Sequence, residues 1–129
     1  MALAALLAGT VALRAASTTS PAAATSVQLL MVEEEGCIWC ARWNAEIGPI
    51  YPKTAEGRLA PLRRVDIRGA EVRSLALARP VQYTPTFVLM RDGRELGRIE
   101  GYPGEDVFWG LLGMLLREQL PEATAAAGL

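Results

Sequence analysis

The chain has 129 residues, of which 51% are apolar, and it carries 13 basic against 14 acidic side chains. This length and composition favour a single packed domain, and the near-balanced charge gives no reason to expect nucleic acid or an anionic membrane surface as a partner. Histidine is absent, which excludes imidazole bases, Cys/His nucleophile pairs and His-containing metal sites within the chain.

The N-terminal stretch has the composition of an export signal. Ala2 to Leu13 is apolar and, at about 12 residues, is too short to span a bilayer comfortably but fits the apolar region of a secretory signal. Ala22-Ala23-Ala24 supplies an Ala-x-Ala cleavage pattern. We therefore predict that residues 1–24 are a signal peptide and that the protein is periplasmic. No Lys or Arg precedes the apolar stretch, so the alternatives are an uncleaved membrane anchor and an Ala-rich tail on a cytosolic domain.

The first strand and the first helix are separated by a polar turn. Val27 to Val32 is an apolar run without alternation, which predicts a strand buried on both faces in the middle of a sheet. Glu33 to Gly36 forms the turn, and Ile38 to Ile47 are good helix formers. Gly48-Pro49 should break or kink this helix.

The middle of the chain predicts shorter elements. The helix can resume from Tyr51 to Glu56, with Gly57 as its stop. Leu62 to Ile67 alternates imperfectly and is interpreted as a second, more exposed strand. Gly69 to Arg79 is predicted to be a short helix that ends at Pro80.

The last part of the chain carries the clearest local signals. Thr86 to Met90 is a strong strand, Arg91 to Arg94 is a hairpin turn with Asp-Gly as its signal, and Glu95 to Ile99 is the return strand. A final helix runs from Glu105 to Gln119 and begins with two acidic residues, which complement the helix dipole. Residues 121–129 are predicted to be a flexible tail.

The predicted element order is β-α-β-α-β-β-α. A right-handed βαβ crossover places its two strands parallel, and the Asp-Gly hairpin adds an antiparallel pair. We therefore predict an α/β domain over residues 25–120, built on a four-stranded mixed sheet with helices on both faces.

The only two cysteines stand in the sequence Cys37-Ile38-Trp39-Cys40, on the first turn of the first predicted helix. A thiolate, not a thiol, attacks a disulfide, and the free N–H groups and dipole of a helix start favour an anion there. Cys37 should therefore be the exposed, attacking sulfur, and Cys40, one turn later, should be the inward-facing resolving sulfur. The uncharged Ile38 and Trp39 give the site an apolar collar suited to a protein substrate.

Two simpler interpretations of the cysteine pair are a structural disulfide and a metal site. A four-residue loop restrains an unfolded chain very little, so its stabilising effect is small. Two sulfurs without histidine or a second cysteine pair make only half of a zinc site. The pair therefore indicates thiol–disulfide chemistry.

A second informative stretch is Tyr83-Thr84-Pro85-Thr86-Phe87. A proline at the entry to a strand can occupy a cis turn and leaves nearby backbone groups free for an incoming peptide. On spacing alone, an ordinary strand-start proline explains the stretch equally well.

In combination, these motifs resemble the thioredoxin superfamily over residues 26–120. A strand leads into Cys37-Ile38-Trp39-Cys40 on a helix, and Thr84-Pro85-Thr86 later opens a strand that turns at Asp92-Gly93. More narrowly, Ala60 to Ile67 and Gly101 to Asp106 resemble the periplasmic thioredoxins encoded with the Sox sulfur-oxidation system.

The resemblance implies a thioredoxin fold, in which Pro85 is a cis-proline packed against the two sulfurs and the Thr84 backbone pairs with a bound substrate strand. One departure concerns the buried aspartate that helps to deprotonate the second cysteine in ordinary thioredoxins, because Met31 occupies its position here. Proton transfer from Cys40 would then use water, Glu33 or Glu34, although Glu33 to Glu35 are more simply interpreted as a solvated loop.

The functional hypothesis is a periplasmic thiol–disulfide oxidoreductase that reduces disulfides of a partner protein. Cys37 and Cys40 are the predicted catalytic residues, and Trp39, Thr84 and Pro85 the predicted substrate-binding residues. The resemblance implies the SoxYZ sulfur-carrier protein as the client and a membrane thiol protein as the electron donor. We expect a monomer without cofactor or metal. The alternatives are a disulfide oxidase or isomerase, and a non-catalytic module that binds copper or a client protein.

Overall fold

A computed structural model describes residues 25–129, and the predicted export signal, residues 1–24, lies outside the described residues. Four strands form one sheet, with the bounds Val27–Glu33 (β1), Leu62–Asp66 (β2), Thr86–Arg91 (β3) and Arg94–Glu100 (β4). The strand order is β2-β1-β3-β4. β1 and β2 are parallel, and the other two pairs are antiparallel. The four-stranded mixed sheet, the inner position of β1 and the more exposed position of β2 are confirmed.

The helices lie on both faces of this sheet. Their bounds are Ile38–Glu46 (α1), Ala55–Leu59 (α2), Ala70–Ser74 (α3), Glu105–Gln119 (α4) and Pro121–Ala127 (α5), with a 3₁₀ turn at Tyr51–Lys53. Alternate residues of β1 divide the core in two, because Leu29 and Met31 pack with α1 and α4, whereas Leu30 and Val32 pack with Val72 of α3. A strand must be apolar at every position to serve both faces, which explains the four consecutive apolar residues from Leu29 to Val32.

The face that carries α1 and α4 is filled by aromatic side chains. The ring centroid of the fully buried Trp43 lies 5.2 Å from Phe87, 5.7 Å from Phe108 and 6.0 Å from Tyr51. Burial of side chains of this size is a dominant stabilising term in a small domain. This packing fixes the orientation of α1, whose first turn bears the cysteines.

The predicted stop at Gly57 is wrong, because Gly57 lies inside α2. The Thr54 hydroxyl accepts a hydrogen bond from the Gly57 N–H at 3.0 Å and caps this helix. A Cβ atom at position 57 would lie only 1.8 Å from the Tyr51 carbonyl oxygen. The glycine therefore permits a close approach of two backbone segments and does not end a helix.

The helix predicted over residues 69–79 is much shorter, because α3 ends at Ser74. Beyond it the chain is extended, and Ala76 pairs with Arg94 of β4 in an isolated parallel bridge. Leu75 and Leu77 still pack against the sheet. The apolar spacing correctly predicted that Leu75 and Leu77 pack against the sheet, but it wrongly predicted that their backbone is helical.

The flexible tail predicted for residues 121–129 is also wrong, since α5 occupies Pro121–Ala127. Pro121 suits the first helical position, where no intrahelical N–H partner is required. Gly128, at φ +75°, ends the helix, and its N–H donates to the Ala125 carbonyl oxygen. Thr124 is buried, and Ala123 and Leu129 pack against the aromatic core.

None of the helices in residues 25–129 is long and apolar enough to cross a membrane.

Candidate functional site

The turn between β1 and α1 places Cys37 at the start of the helix. The Cys37 N–H donates to the Glu34 carbonyl oxygen at 3.3 Å, and Gly36 supplies the positive φ of +79° that this turn needs. Cys37 is the N-cap residue, and its sulfur accepts a hydrogen bond from the Cys40 N–H at 3.1 Å. The sulfur thus lies where free helix N–H groups and the helix dipole stabilise a negative charge.

Cys37 and Cys40 form a disulfide, and their Cα atoms are 5.2 Å apart. The two residues differ in accessibility, because Cys37 is partly exposed whereas Cys40 is 3% exposed and belongs to the aromatic core. One sulfur is therefore accessible to a partner, and the other lies behind it. This is the arrangement that the sequence predicts.

The two residues between the cysteines are exposed apolar side chains, Ile38 at 74% and Trp39 at 50%, and Tyr83, directly before Thr84, is 60% exposed. The guanidinium carbon of Arg42, one turn further along α1, lies 5.8 Å from the centroid of the Trp39 ring, within the range of a cation–π contact. Exposed large apolar side chains beside a reactive pair are suited to binding another protein.

The predicted substrate-binding loop precedes β3. The Thr84–Pro85 peptide bond is cis, and Pro85 is buried. The Pro85 carbonyl oxygen accepts a hydrogen bond from the Gly101 N–H at 2.7 Å, which joins this loop to the segment after β4. Within residues 25–129 the backbone N–H and C=O of Thr84 form no hydrogen bond, so they are available to an incoming strand.

The three glutamates before Cys37 differ from one another, and the interpretation of all three as a solvated loop is wrong. The Glu33 carboxylate pairs with Arg64 at 2.8 Å. The Glu34 carboxylate pairs with Arg68 at 3.1 Å and accepts a hydrogen bond from the Thr84 hydroxyl at 3.1 Å. Glu35 is exposed. Sequence reasoning missed the contact of Glu34 with Thr84, because it depends on the register of two distant strands.

Met31, at the position where ordinary thioredoxins carry a buried aspartate, is fully buried. The Arg64 guanidinium reaches its sulfur at 3.5 Å and also lies over the Trp43 ring, 5.8 Å from the centroid. Arg64 is opposite Met31 in the parallel pairing of β1 and β2. On the face of β1 that carries Met31, the carboxylate nearest to Met31 along the strand is that of Glu33.

The loop after β4 is anchored to α1 by a polar contact. The buried Tyr102 hydroxyl donates to the Glu46 carboxylate, which also accepts from the Arg42 Nε at 2.9 Å. These two hydrogen bonds, first that of Tyr102 and then that of Arg42, lower the pKa of the Glu46 carboxyl. Burial and the same hydrogen bond raise the pKa of Tyr102. The cysteine-bearing helix is thereby tied to the segment that contacts Pro85.

Three cavities of about 440, 810 and 290 Å³ are lined by neither Cys37 nor Cys40. The smallest of them is lined by Glu33, Glu34 and Glu35, in the segment directly before the cysteines. In the part of the chain that the structure describes, no group of three or more Cys, Asp or Glu side chains is arranged to hold a metal ion. A partly exposed sulfur outside these cavities fits a macromolecular substrate better than an enclosed small molecule.

Fold and site together define the class of the protein. The family model of the thioredoxin-like domain matches residues 14–115, and the chain belongs to this family. The predicted thioredoxin fold is confirmed.

Among solved structures, the chain is similar to the periplasmic thioredoxin SoxS from Paracoccus pantotrophus in its reduced form, with 56% identity and a TM-score of 0.68. The match covers 70% of this chain and 96% of that one. A structure described as a malarial protein matches with 20% identity and a TM-score of 0.51, over 74% of this chain and 98% of that one, which shows the fold alone. A search of curated proteins gave no match. The resemblance to SoxS-type thioredoxins is thus confirmed.

Proposed function

We propose that the protein is a periplasmic thiol–disulfide oxidoreductase that reduces disulfides in a client protein. The observation that carries this proposal is the unequal placement of the two sulfurs. Cys37 is partly exposed at the N-cap of α1, and Cys40 is buried one turn later. A nucleophile needs access to its client, whereas a resolving thiol needs access only to the nucleophile.

The reaction begins with the reduced protein. The Cys37 thiolate attacks one sulfur of the client disulfide, forms a mixed disulfide and expels the other client sulfur as a thiolate. The Cys40 thiolate then attacks the Cys37 sulfur, closes the Cys37–Cys40 disulfide and expels the second client thiolate. The client gains two electrons and two protons, and a dithiol donor protein returns them to the cysteine pair.

The proposed compartment and partners follow from similarity. The 56% identity to a protein described as the periplasmic thioredoxin SoxS, together with the export-like composition of residues 1–24, supports a periplasmic location. The resemblance to this group supports the SoxYZ sulfur-carrier protein as the client and a membrane thiol protein as the donor. The exposed Ile38, Trp39 and Tyr83 supply an apolar surface on which such a client can bind.

The first test is the reduction of insulin disulfides with dithiothreitol as the recycling reductant. We expect wild-type protein to accelerate the reaction and Cys37→Ser to abolish the acceleration, because the hydroxyl is not ionised at neutral pH. Cys40→Ala should stop multiple turnover while leaving the first attack intact. Equal turnover by the wild type and Cys37→Ser would contradict the proposal.

The second test identifies the client. Cys40→Ala removes the resolving sulfur, so the client should remain attached to Cys37 as a mixed disulfide that mass spectrometry can identify in a periplasmic extract. The double variant Cys37→Ser/Cys40→Ala is the control and should capture nothing. If Cys40→Ala captures no client although the wild type reduces insulin, the assigned roles of the two sulfurs are wrong. Capture of a protein other than SoxYZ would overturn only the proposed client.

A further inference from the structure

The backbone ladder between β1 and β3 stops before it reaches the site. The last paired residues are Val32 and Thr86. Two residues beyond each of them, at the same register, lie Glu34 and Thr84. The Thr84 hydroxyl donates to the Glu34 Oε1 at 3.1 Å, so a side-chain contact continues the alignment of the two segments where the backbone bonds have ended.

Because a side-chain hydrogen bond stands here in place of a backbone one, the Thr84 backbone is left without a hydrogen bond to the neighbouring strand. In an antiparallel ladder, its N–H or C=O would be consumed by the neighbouring strand. Here both groups form no hydrogen bond within the part of the chain that the structure describes. The hydroxyl holds the residue in place, and the backbone stays free to pair with another chain.

The same glutamate also contacts the turn that carries the nucleophile. The Glu34 carbonyl oxygen accepts the Cys37 N–H at 3.3 Å. Its second carboxylate oxygen, Oε2, pairs with the Arg68 guanidinium at 3.1 Å, which restricts the rotamer of the side chain. Glu34 is therefore joined to the nucleophile by its main chain and to the substrate-binding loop by its side chain.

We propose that Glu34 is a positioning residue that sets the free Thr84 backbone relative to Cys37, so that a client strand paired at Thr84 presents its sulfur to Cys37. This inference rests on the proposed disulfide reduction and adds a residue to it. The contact acts on extended protein clients, which use the Thr84 backbone, and not on small disulfides, which need only the sulfur of Cys37.

The test compares two probes, insulin and the small neutral compound bis(2-hydroxyethyl) disulfide, with dithiothreitol as reductant. Glu34→Ala and Thr84→Val each remove one partner of the hydrogen bond. We expect each to raise the KM for insulin about fivefold, as the loss of one hydrogen bond predicts, and to affect reduction of the small disulfide less than reduction of insulin. The double variant Glu34→Ala/Thr84→Val should have the KM of either single variant, because both changes remove the same contact.

Glu35→Ala is the matched control, since it removes the same charge from the adjacent, exposed glutamate and should leave the insulin KM unchanged. Glu34→Gln and Thr84→Ser keep the acceptor and the donor and should restore most of the wild-type KM. Circular dichroism during thermal unfolding checks that each variant is folded. If Glu34→Ala is unfolded, the comparison of Thr84→Val with Thr84→Ser decides the question.

Three results would overturn the inference: a Glu34→Ala variant that behaves like Glu35→Ala, single effects that multiply in the double variant, or equal losses with both probes. A failure of the proposed function would give a different result. If the protein were not a disulfide reductase, the wild type would show no Cys37-dependent reduction of either probe.

Discussion

The two faces of the sheet are held together by different means. On the cysteine side, large aromatic side chains from the 3₁₀ turn, β3 and α4 pack around Trp43 of α1. On the other side, within residues 25–129, the buried core consists of aliphatic side chains without a single aromatic ring, and the short helix α3 packs there. The extended segment beyond α3 is hydrogen-bonded to the side chains of Glu95 and Arg98, which form a buried ion pair within β4.

The difference explains which parts of the site depend on packing and which on polar contacts. α1, which carries both cysteines, is fixed by the aromatic core. The segment that leads to Tyr83 and Pro85 has no such core. There, Arg98 donates to the Arg79 carbonyl oxygen at 2.8 Å and Glu95 accepts from the Ala78 N–H at 2.7 Å. The cysteine-bearing helix is thus held by hydrophobic burial, and the segment that leads to Thr84 and Pro85 is held by two buried charges.

The largest expected effect is a loss of stability from a substitution on the sheet face that carries α1 and α4. Phe108→Ala should lower the free energy of unfolding by about 3–5 kcal/mol, because it empties the space of a fully buried ring, whereas Val72→Ala on the opposite face should cost about 1–2 kcal/mol. Leu111→Ala is the control on the same helix as Phe108, at a position 38% exposed, and should change stability by less than about 0.5 kcal/mol. Urea unfolding measures all three, and equal losses on the two faces would contradict the comparison.

The second prediction concerns the ion pair. Arg98 and Glu95 side chains are 5% and 4% exposed, with the Arg98 Nε 2.6 Å from the Glu95 Oε1. Arg98→Met leaves the Glu95 carboxylate buried without its partner and should cost about 3 kcal/mol.

Two controls sharpen this prediction in urea unfolding. The double variant Glu95→Leu/Arg98→Met removes both charges and should lose less stability than Arg98→Met alone. Arg63→Met breaks the exposed pair of Arg63 with Glu71 and should cost no more than about 1 kcal/mol. A loss in Arg98→Met as small as that in Arg63→Met would show that the buried pair does not hold the segment.

The sequence was sufficient for the elements whose local patterns are unambiguous. The apolar run of β1 without alternation predicted a central strand, the Asp-Gly pair predicted the β3–β4 hairpin, and the acidic start of α4 located that helix. The spacing of Cys37 and Cys40 before a helix also predicted which sulfur is accessible. In each case one short window contains the physical cause.

The sequence was insufficient where a distant contact decides the conformation. Leu75 and Leu77 have apolar spacing that suits a helix, but pairing of the intervening Ala76 with β4 draws the segment into an extended form. The alanine-rich segment Pro121–Ala127 has no large apolar side chain, yet it is helical, and its buried Thr124 hydroxyl donates to the Leu120 and Pro121 carbonyl oxygens. The bond between Glu34 and Thr84 depends on the register of β1 with β3, which no local pattern specifies.

The smallest expected effect is the pH dependence of the free energy of unfolding that arises from the Glu95–Arg98 ion pair. Burial by itself raises the pKa of Glu95, but hydrogen bonds from Arg98 and from the Ala78 N–H outweigh it, so that the pKa in the folded protein lies below the ordinary value of 4.5. A carboxyl with a lowered pKa in the folded state contributes stability above pH 4.5, and this contribution is lost as the pH falls through the folded value. The free energy of unfolding of the wild type should therefore fall more steeply below pH 4.5 than that of Glu95→Leu/Arg98→Met. Parallel pH profiles of the two proteins in urea unfolding would contradict the assignment of this acid sensitivity to Glu95.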